Sequence, residues 1–316
     1  MAVTPSTSNH ITVHFADSST AIGSLVVGAD GSRSKVRSSL LSSNPSLSRN
    51  QELPVRLLGV TVVYASTLAL KLKALDPFFF QGGDPQTNTF LYFSFLDTPS
   101  NNTREDDPDS YECQIILSWP YKVGYMGRKE ALDVPKTGKE RVAVMKEIAK
   151  GWAEPFQGMV MSIPENADAK AIVLEDFVPK EHLWTNMEGR ATLVGDAAHT
   201  MTMCTYSIYY ALLALEMMLM VLQDRGEGAN HGITDIALLL EKILSPLQNL
   251  SVPTFLDGSS PQTLQDAIDA YEKEMIQRAG PAVLTSRRAC LDAHDYEKIT
   301  DQSPLISRRV MVTREE

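Results

Sequence analysis

The sequence predicts a mixed α/β fold in which two strand–turn–helix units flank an antiparallel sheet. Three observations carry that prediction. A strand ending in Gly28-Ala29-Asp30-Gly31 runs into a helical pattern near the start, and a second strand, Ala191–Val194, meets the turn Gly195-Asp196 near the end. Between them lie three stretches rich in aromatic and β-branched residues, Val55–Ser66, Thr89–Leu96 and Cys113–Pro120, which suit a pleated, half-buried sheet.

Taken in order, Ile11–Phe15 and Ala21–Val27 read as short strands joined by the turn Asp17-Ser18-Ser19. Val36 and Leu40 then share one face of a helix, and Ser42–Asn50 is a Ser/Asn/Pro loop. Pro99–Pro108 is polar and turn-rich, a loop inside the sheet region. Lys139–Phe156 switches to helical period with Val142, Met145, Ala149, Trp152 and Phe156 on one side. Ala171–Leu174 returns to strand character. Two further helices are expected, Ile233–Leu244 and Gln262–Gln277, the latter presenting Leu264, Ile268, Tyr271 and Met275.

The composition is that of a globular protein, 43% hydrophobic and 22% charged over 316 residues. A net charge of -10 repels a phosphate backbone, so no nucleic-acid partner is expected. Cys113, Cys204 and Cys290 form no CxxC pair and no even framework, which suits a reducing, cytoplasmic setting. No residue is assigned to a metal. Met1–His10 lacks the basic and apolar regions of a signal peptide. The run Tyr206–Gln223 (YSIYYALLALEMMLMVLQ) is apolar nearly all round, but a membrane span needs about 20 apolar residues. Glu216 near its middle also opposes insertion. A buried helix is the expectation for it and a membrane segment the alternative.

Three segments carry chemistry. In Leu25–Arg37, glycines at a strand end let the backbone turn tightly and approach a ligand, and the helix that follows offers free N–H groups to an anion. An ordinary β-turn would use the same residues. In Ala191–His199, a strand again meets a Gly turn; Asp196 can accept from a sugar-alcohol hydroxyl pair or cap the helix. His199 reads as a packing residue or a general base. In Arg225–His231, Gly226, Gly228, Ala229 and Asn230 precede a helix as a further nest of N–H groups.

Together and in this order, GADGSRSKVR, LVGDAAH and RGEGANHGITD resemble the FAD-dependent monooxygenases of the para-hydroxybenzoate-hydroxylase type. The tail from Tyr271-Glu272 through Arg287–Asp295 to Ser303-Pro304-Leu305 is similar to fungal secondary-metabolism members. The resemblance implies FAD as cofactor, NAD(P)H as reductant and a small-molecule substrate that is hydroxylated or epoxidised with oxygen. It places Asp30, Gly31 and Arg37 in the Asp-Gly motif that supports FAD and the NAD(P)H pyrophosphate. Gly195, Asp196 and Ala197 fall in the motif that binds the flavin ribityl chain. Gly226, Gly228, Ala229 and Asn230 belong to its glycine-rich continuation beside the pyrophosphate and isoalloxazine. No catalytic residue is nominated. The implied organisation is a Rossmann-like FAD-binding domain formed by residues 1–50 and 176–316, interrupted by a β-rich substrate domain over 51–175.

The chain departs from that pattern twice. No GxGxxG occurs in it, so an N-terminally truncated FAD-binding domain lacking its first βαβ unit is expected. Cys204–Asp224 fills a gap that is nearly closed in the family pattern, which suggests a translated intron or an inserted helix. Two functions follow: a flavin monooxygenase, or a flavin-free remnant that is inactive or catalyses a redox-neutral isomerisation or cyclisation.

Overall fold

The computed structural model describes residues 1–5, 10–101, 107–202, 227–249 and 263–306, the side chains of 227 and 245–249 excepted. The chain opens with an antiparallel meander of β1 (Ala2–Pro5), β2 (Ile11–His14) and β3 (Thr20–Gly23). The turn at Asp17-Ser18-Ser19 joins β2 to β3, with Asp17 Oδ1 accepting from Ser19 N at 3.0 Å. The single strand read over Ala21–Val27 is divided, because the chain leaves β3 at Gly23 and begins β4 (Val26–Gly28) in a different sheet. At Gly28 an added Cβ would lie 2.6 Å from Leu193 Cδ2 and 2.7 Å from Val36 Cβ. Only glycine lets the strand close on helix α1 (Lys35–Leu40), which buries Val36 and Leu40 as their spacing predicts.

The middle of the chain is built on β5 (Gln51–Tyr64), helix α2 (Ser66–Lys73), β6 (Phe79–Asp84), β7 (Thr89–Asp97) and β8 (Tyr111–Pro120). The sequence did not announce α2 or β6; β6 contains Gly82-Gly83, which weakens its strand signal. The helix expected over Lys139–Phe156 is two helices, α3 (Gly138–Ile148) and α4 (Phe156–Met161). Thr137 and Glu140 form a capping box at the start of α3. Gly151 at φ 92° turns the chain out of that helix before Pro155 begins the next. β9 (Lys170–Asp176) completes a five-stranded sheet of order β6-β7-β8-β5-β9. One face carries the row Phe80, Phe93, Ile115, Val60 in register, and Leu117, Trp119, Met145 and Ile148 join it in a buried core. Each such side chain contributes roughly 1.5–3 kcal/mol by leaving water. Trp119 Nε1 also donates to Leu132 O at 2.9 Å.

The chain then enters β10 (Ala191–Leu193), which pairs parallel with β4 in the register Ala191↔Val26 and Leu193↔Gly28. Helices α5 (Asp196–His199), α6 (Glu227–Asn249) and α7 (Leu264–Ala293) follow. α6 begins at Glu227 rather than at Ile233. α7 runs well beyond Gln277 and straight through Pro281. Buried Ala279, Val283 and Ala289 continue its inward face, and that packing outweighs the roughly 3 kcal/mol an internal proline costs. Tyr271 Oη donates to Leu193 O at 2.8 Å and ties α7 to β10.

The fold divides into two compact units. One comprises Met1–Glu52, Glu175–Cys290 and Pro304–Glu316; the other comprises Leu53–Leu174 and Leu291–Ser303. No helix among the described residues is long and apolar enough to cross a membrane. The run Tyr206–Gln223, Cys204 and Gly226 lie outside the described residues, as does half of Pro99–Pro108, residues 102–106.

Candidate cofactor site

The first motif forms a self-contained loop at the start of α1. Gly31 holds φ 78°, a left-handed conformation that favours glycine. Asp30 turns back on the loop: its Oδ1 accepts from Ser34 Oγ at 2.5 Å and its Oδ2 from Lys35 N at 2.6 Å and Val36 N at 3.2 Å. Partial burial pushes the Asp30 carboxyl up, but the hydrogen bonds from Ser34 and the two amides outweigh it and hold the group below the usual carboxylate range.

Arg37 is fully buried, and its donors all find protein oxygens. Nε donates to Ser48 O at 3.1 Å, and Nη1 to Asp196 O at 3.3 Å and Ala197 O at 2.9 Å. Nη2 donates to Ser32 O and Asn50 Oδ1, both at 2.6 Å. Phe177 packs its ring 4.1 Å from the guanidinium carbon. Burial pushes Arg37 down to about 10, against the opposing charges of Asp30, Glu175 and Asp196. The side chains of Asp30 and Arg37 are therefore committed to the protein, and Arg37 joins the first motif to the backbone of the second.

That second motif is a tight turn out of β10. Gly195 adopts φ 57°, ψ -140° and caps α5, and a Cβ there would meet Gly232 Cα of α6 at 3.7 Å. Ala197 is buried. Asp196 is exposed, and no hydrogen bond or ion pair engages its carboxylate among the described residues. Desolvation by the turn beneath raises its pKa, against the lowering influence of His199 and Arg37.

The third motif does come to the second. Gly228, Ala229 and Asn230 lie at the described start of α6. A Cβ on Gly228 would sit 3.6 Å from Asp196 Oδ1. The described start of α6 thus lies beside Asp196, and Cys204–Asp224 falls outside the described residues.

Beneath the turn is a buried polar network that the sequence reading missed. Asp235 Oδ2 accepts from Gly195 N at 2.7 Å and pairs with His199 Nε2 at 2.6 Å. Its Oδ1 accepts from Arg278 of α7, whose other Nη contacts His231 Nδ1. Burial pushes the Asp235 carboxyl up, yet the bonds from His199 and Gly195 and the charge of Arg278 together hold it below the ordinary range. His199 is completely buried and its Nδ1 has no partner among the described residues. A signal for Asp235 was present: it stands in line with buried Leu239 and Ile243 at four-residue spacing, an acid on an apolar stripe.

No protein-family model matches the chain. It is 47% identical over 300 residues, 93% of its length, to a probable FAD-dependent monooxygenase of Arthroderma benhamiae. It is 35% identical over 248 residues, 78% of its length, to the FAD-dependent monooxygenase dbaB of Emericella nidulans. Over nearly its whole length the chain is similar to proteins named FAD-dependent monooxygenases. It spans 63% and 56% of the lengths of these two relatives. Among solved structures of this kind, 2,6-dihydroxypyridine-3-hydroxylase from Arthrobacter nicotinovorans superposes with a TM-score of 0.63 at 14% identity, covering 96% of this chain and 66% of that one. Klebsiella pneumoniae HpxO complexed with FAD and uric acid gives 0.61 at 18%, covering 94% and 59%. At these identities the likeness speaks for the fold.

The residues present fit part of an FAD. The unengaged carboxylate of Asp196, the positive-φ turn at Gly195 and the small first-turn residues of α6 form a cradle with acceptors for ribityl hydroxyls and donors for a phosphate or ring carbonyl.

Proposed function

We propose that this chain carries the flavin-holding turn and the substrate-facing sheet of an NAD(P)H- and oxygen-dependent monooxygenase that hydroxylates or epoxidises a small, electron-rich organic molecule. The observation that carries the proposal is the convergence of Gly195, Asp196 and Gly228 at one place, with the Asp196 carboxylate left unengaged. Bound FAD would supply hydride acceptance from NAD(P)H and activation of oxygen. Asp196 would accept from the ribityl hydroxyls, and the N–H groups of Gly228, Ala229 and Asn230 would face the pyrophosphate or ring carbonyl. Asp30 and Arg37 would act by holding the turn, since their side chains are used within the protein, and Gly31 by its left-handed backbone. Residues 1–50 and 176–316 would then be the flavin-binding part and 51–175 the substrate part. A cytoplasmic setting belongs to the same proposal.

The substrate class follows from named neighbours: HpxO holds uric acid and a Pseudomonas aeruginosa PqsL holds 2-aminobenzoylacetate. Small conjugated molecules bearing oxygen or nitrogen are the class to test. The flavin-free reading has less support, because an open carboxylate beside a helix start serves no evident purpose in a remnant. The test is to incubate the chain with FAD, desalt it, record the visible spectrum and follow NAD(P)H oxidation with oxygen present. Retained flavin bands support the proposal, and a colourless folded protein contradicts it.

A further inference from the structure

His199 engages both peptide groups that flank Gly195. Its backbone N–H donates to Gly195 O at 2.9 Å. Its side chain reaches the Gly195 N–H indirectly, because Asp235 Oδ2 accepts from Gly195 N at 2.7 Å and pairs with His199 Nε2 at 2.6 Å. Burial raises the Asp235 carboxyl, but the bonds from His199 and Gly195 and the charge of Arg278 keep it below the ordinary range and ionised. An ionised carboxylate only accepts, so the hydrogen between the two side chains is carried by His199 Nε2.

The other ring nitrogen is idle. His199 is completely buried, packs edge-on against His231 with ring centroids 5.8 Å apart, and its Nδ1 has no partner among the described residues. A residue that only filled this space would be better apolar, since an unpaired buried ring nitrogen is unfavourable. Burial also keeps the ring from taking a proton from a substrate, which removes the general-base role. What remains is the bond from Nε2 to Asp235.

The arrangement around Asp235 gives that bond a purpose. Arg278 donates to the opposite oxygen, Oδ1, and its other Nη contacts His231. With His199 on Oδ2, the plane of the carboxylate is fixed and Oδ2 stays on the Gly195 N–H. Without His199, both oxygens are free to turn to the planar fork of Arg278, and the Gly195 N–H loses its acceptor. Asp196 follows Gly195 directly, so a turn of that backbone re-aims the Asp196 carboxylate.

We propose that His199 is a positioning residue for the flavin: its Nε2–H locks Asp235 onto the Gly195 N–H and thereby aims Asp196 at the ribityl hydroxyls. This deepens the monooxygenase reading and rests on it.

The test compares His199→Gln with His199→Asn in the whole chain. The glutamine amide nitrogen stands where Nε2 stands in the ring, and the asparagine amide stands where Nδ1 does. Two quantities are read: FAD affinity by fluorescence quenching, and hydrogen exchange of the Gly195 amide by NMR on unliganded chain isotope-labelled at glycine. His199→Asn should bind FAD about tenfold more weakly and exchange the Gly195 amide about tenfold faster, the scale of one hydrogen bond to a charged group. His199→Gln should stay within about twofold of the unmodified chain in both. His199→Phe, which keeps a ring and removes both nitrogens, replaces the asparagine variant if that variant does not fold. Equal behaviour of the glutamine and asparagine variants in FAD affinity or in Gly195 exchange overturns the proposal. FAD binding that neither substitution changes overturns this role alone, whereas no FAD binding by the unmodified chain overturns the monooxygenase reading and this role with it.

Discussion

Asp235 on α6 accepts the backbone N–H of Gly195 at 2.7 Å, so the tight turn that leads into α5 is held from below by a carboxylate 40 residues further along the chain. The same carboxylate engages His199 and Arg278, which binds the turn to α6 and α7 together. The unusual backbone of Gly195 is kept by this buried group. Replacing Asp235 with alanine leaves the Arg278 charge and His199 without their partner, and should cost about 3 kcal/mol or more in urea unfolding. Asp235→Asn, which retains an acceptor, should cost less.

Arg37 acts across three segments at once, the first motif, the loop at Ser48–Asn50 and the backbone of Asp196-Ala197. Arg37→Ala would strand several buried carbonyls, and a loss of about 3–5 kcal/mol in the same unfolding experiment is expected. Arg37→Lys should recover only a minor part, because an ammonium lacks the planar fork that reaches five acceptors. Equal stability of the lysine variant and the unmodified chain would contradict this account of Arg37.

Acid stability should separate the buried carboxylate of Asp235 from the half-buried one of Glu272. The native pKa of Asp235 is depressed, so its contribution is complete above the ordinary aspartate value of about 3.9 and is lost as pH falls through the lower native value. Asp235→Asn should flatten the unfolding curve in that acid window. Glu272 behaves oppositely: burial raises it, in spite of the bonds from Trp184 and Thr192 to its Oε1, each 2.9 Å. Its charge therefore opposes folding above the raised pKa, and protonation relieves the cost. Glu272→Gln, which keeps an acceptor for both donors, should raise the melting temperature at pH 7 and bring little gain near pH 4.

Much of the first and second motifs was legible because local chemistry dictates it. Gly28 and Gly31 mark a strand end and a left-handed turn, and Val36 and Leu40 mark the helix face. The β5, β7 and β8 strands announced themselves through aromatic and β-branched residues. What escaped was set by tertiary contacts. β6 carries two glycines and gains its order from pairing with β7. α7 passes Pro281 because its buried face continues. Two of the Arg37 acceptors, Asp196 O and Ala197 O, come from a segment more than a hundred residues away and the Asp235 partners from about forty, and no local pattern announces such pairs. Asp196, by contrast, was singled out from its turn alone, and the structure brings Gly228 to it.

The central claim is that Asp196 and the first turn of α6 hold the ribityl–pyrophosphate part of FAD. The direct measurement is titration of FAD fluorescence with the whole chain and with Asp196→Ala, circular dichroism confirming that both are folded. The account predicts saturable quenching by the unmodified chain and about tenfold weaker binding by the variant, the scale of a hydrogen bond to a charged group. No quenching by the unmodified chain, or equal affinity in both proteins, would contradict it.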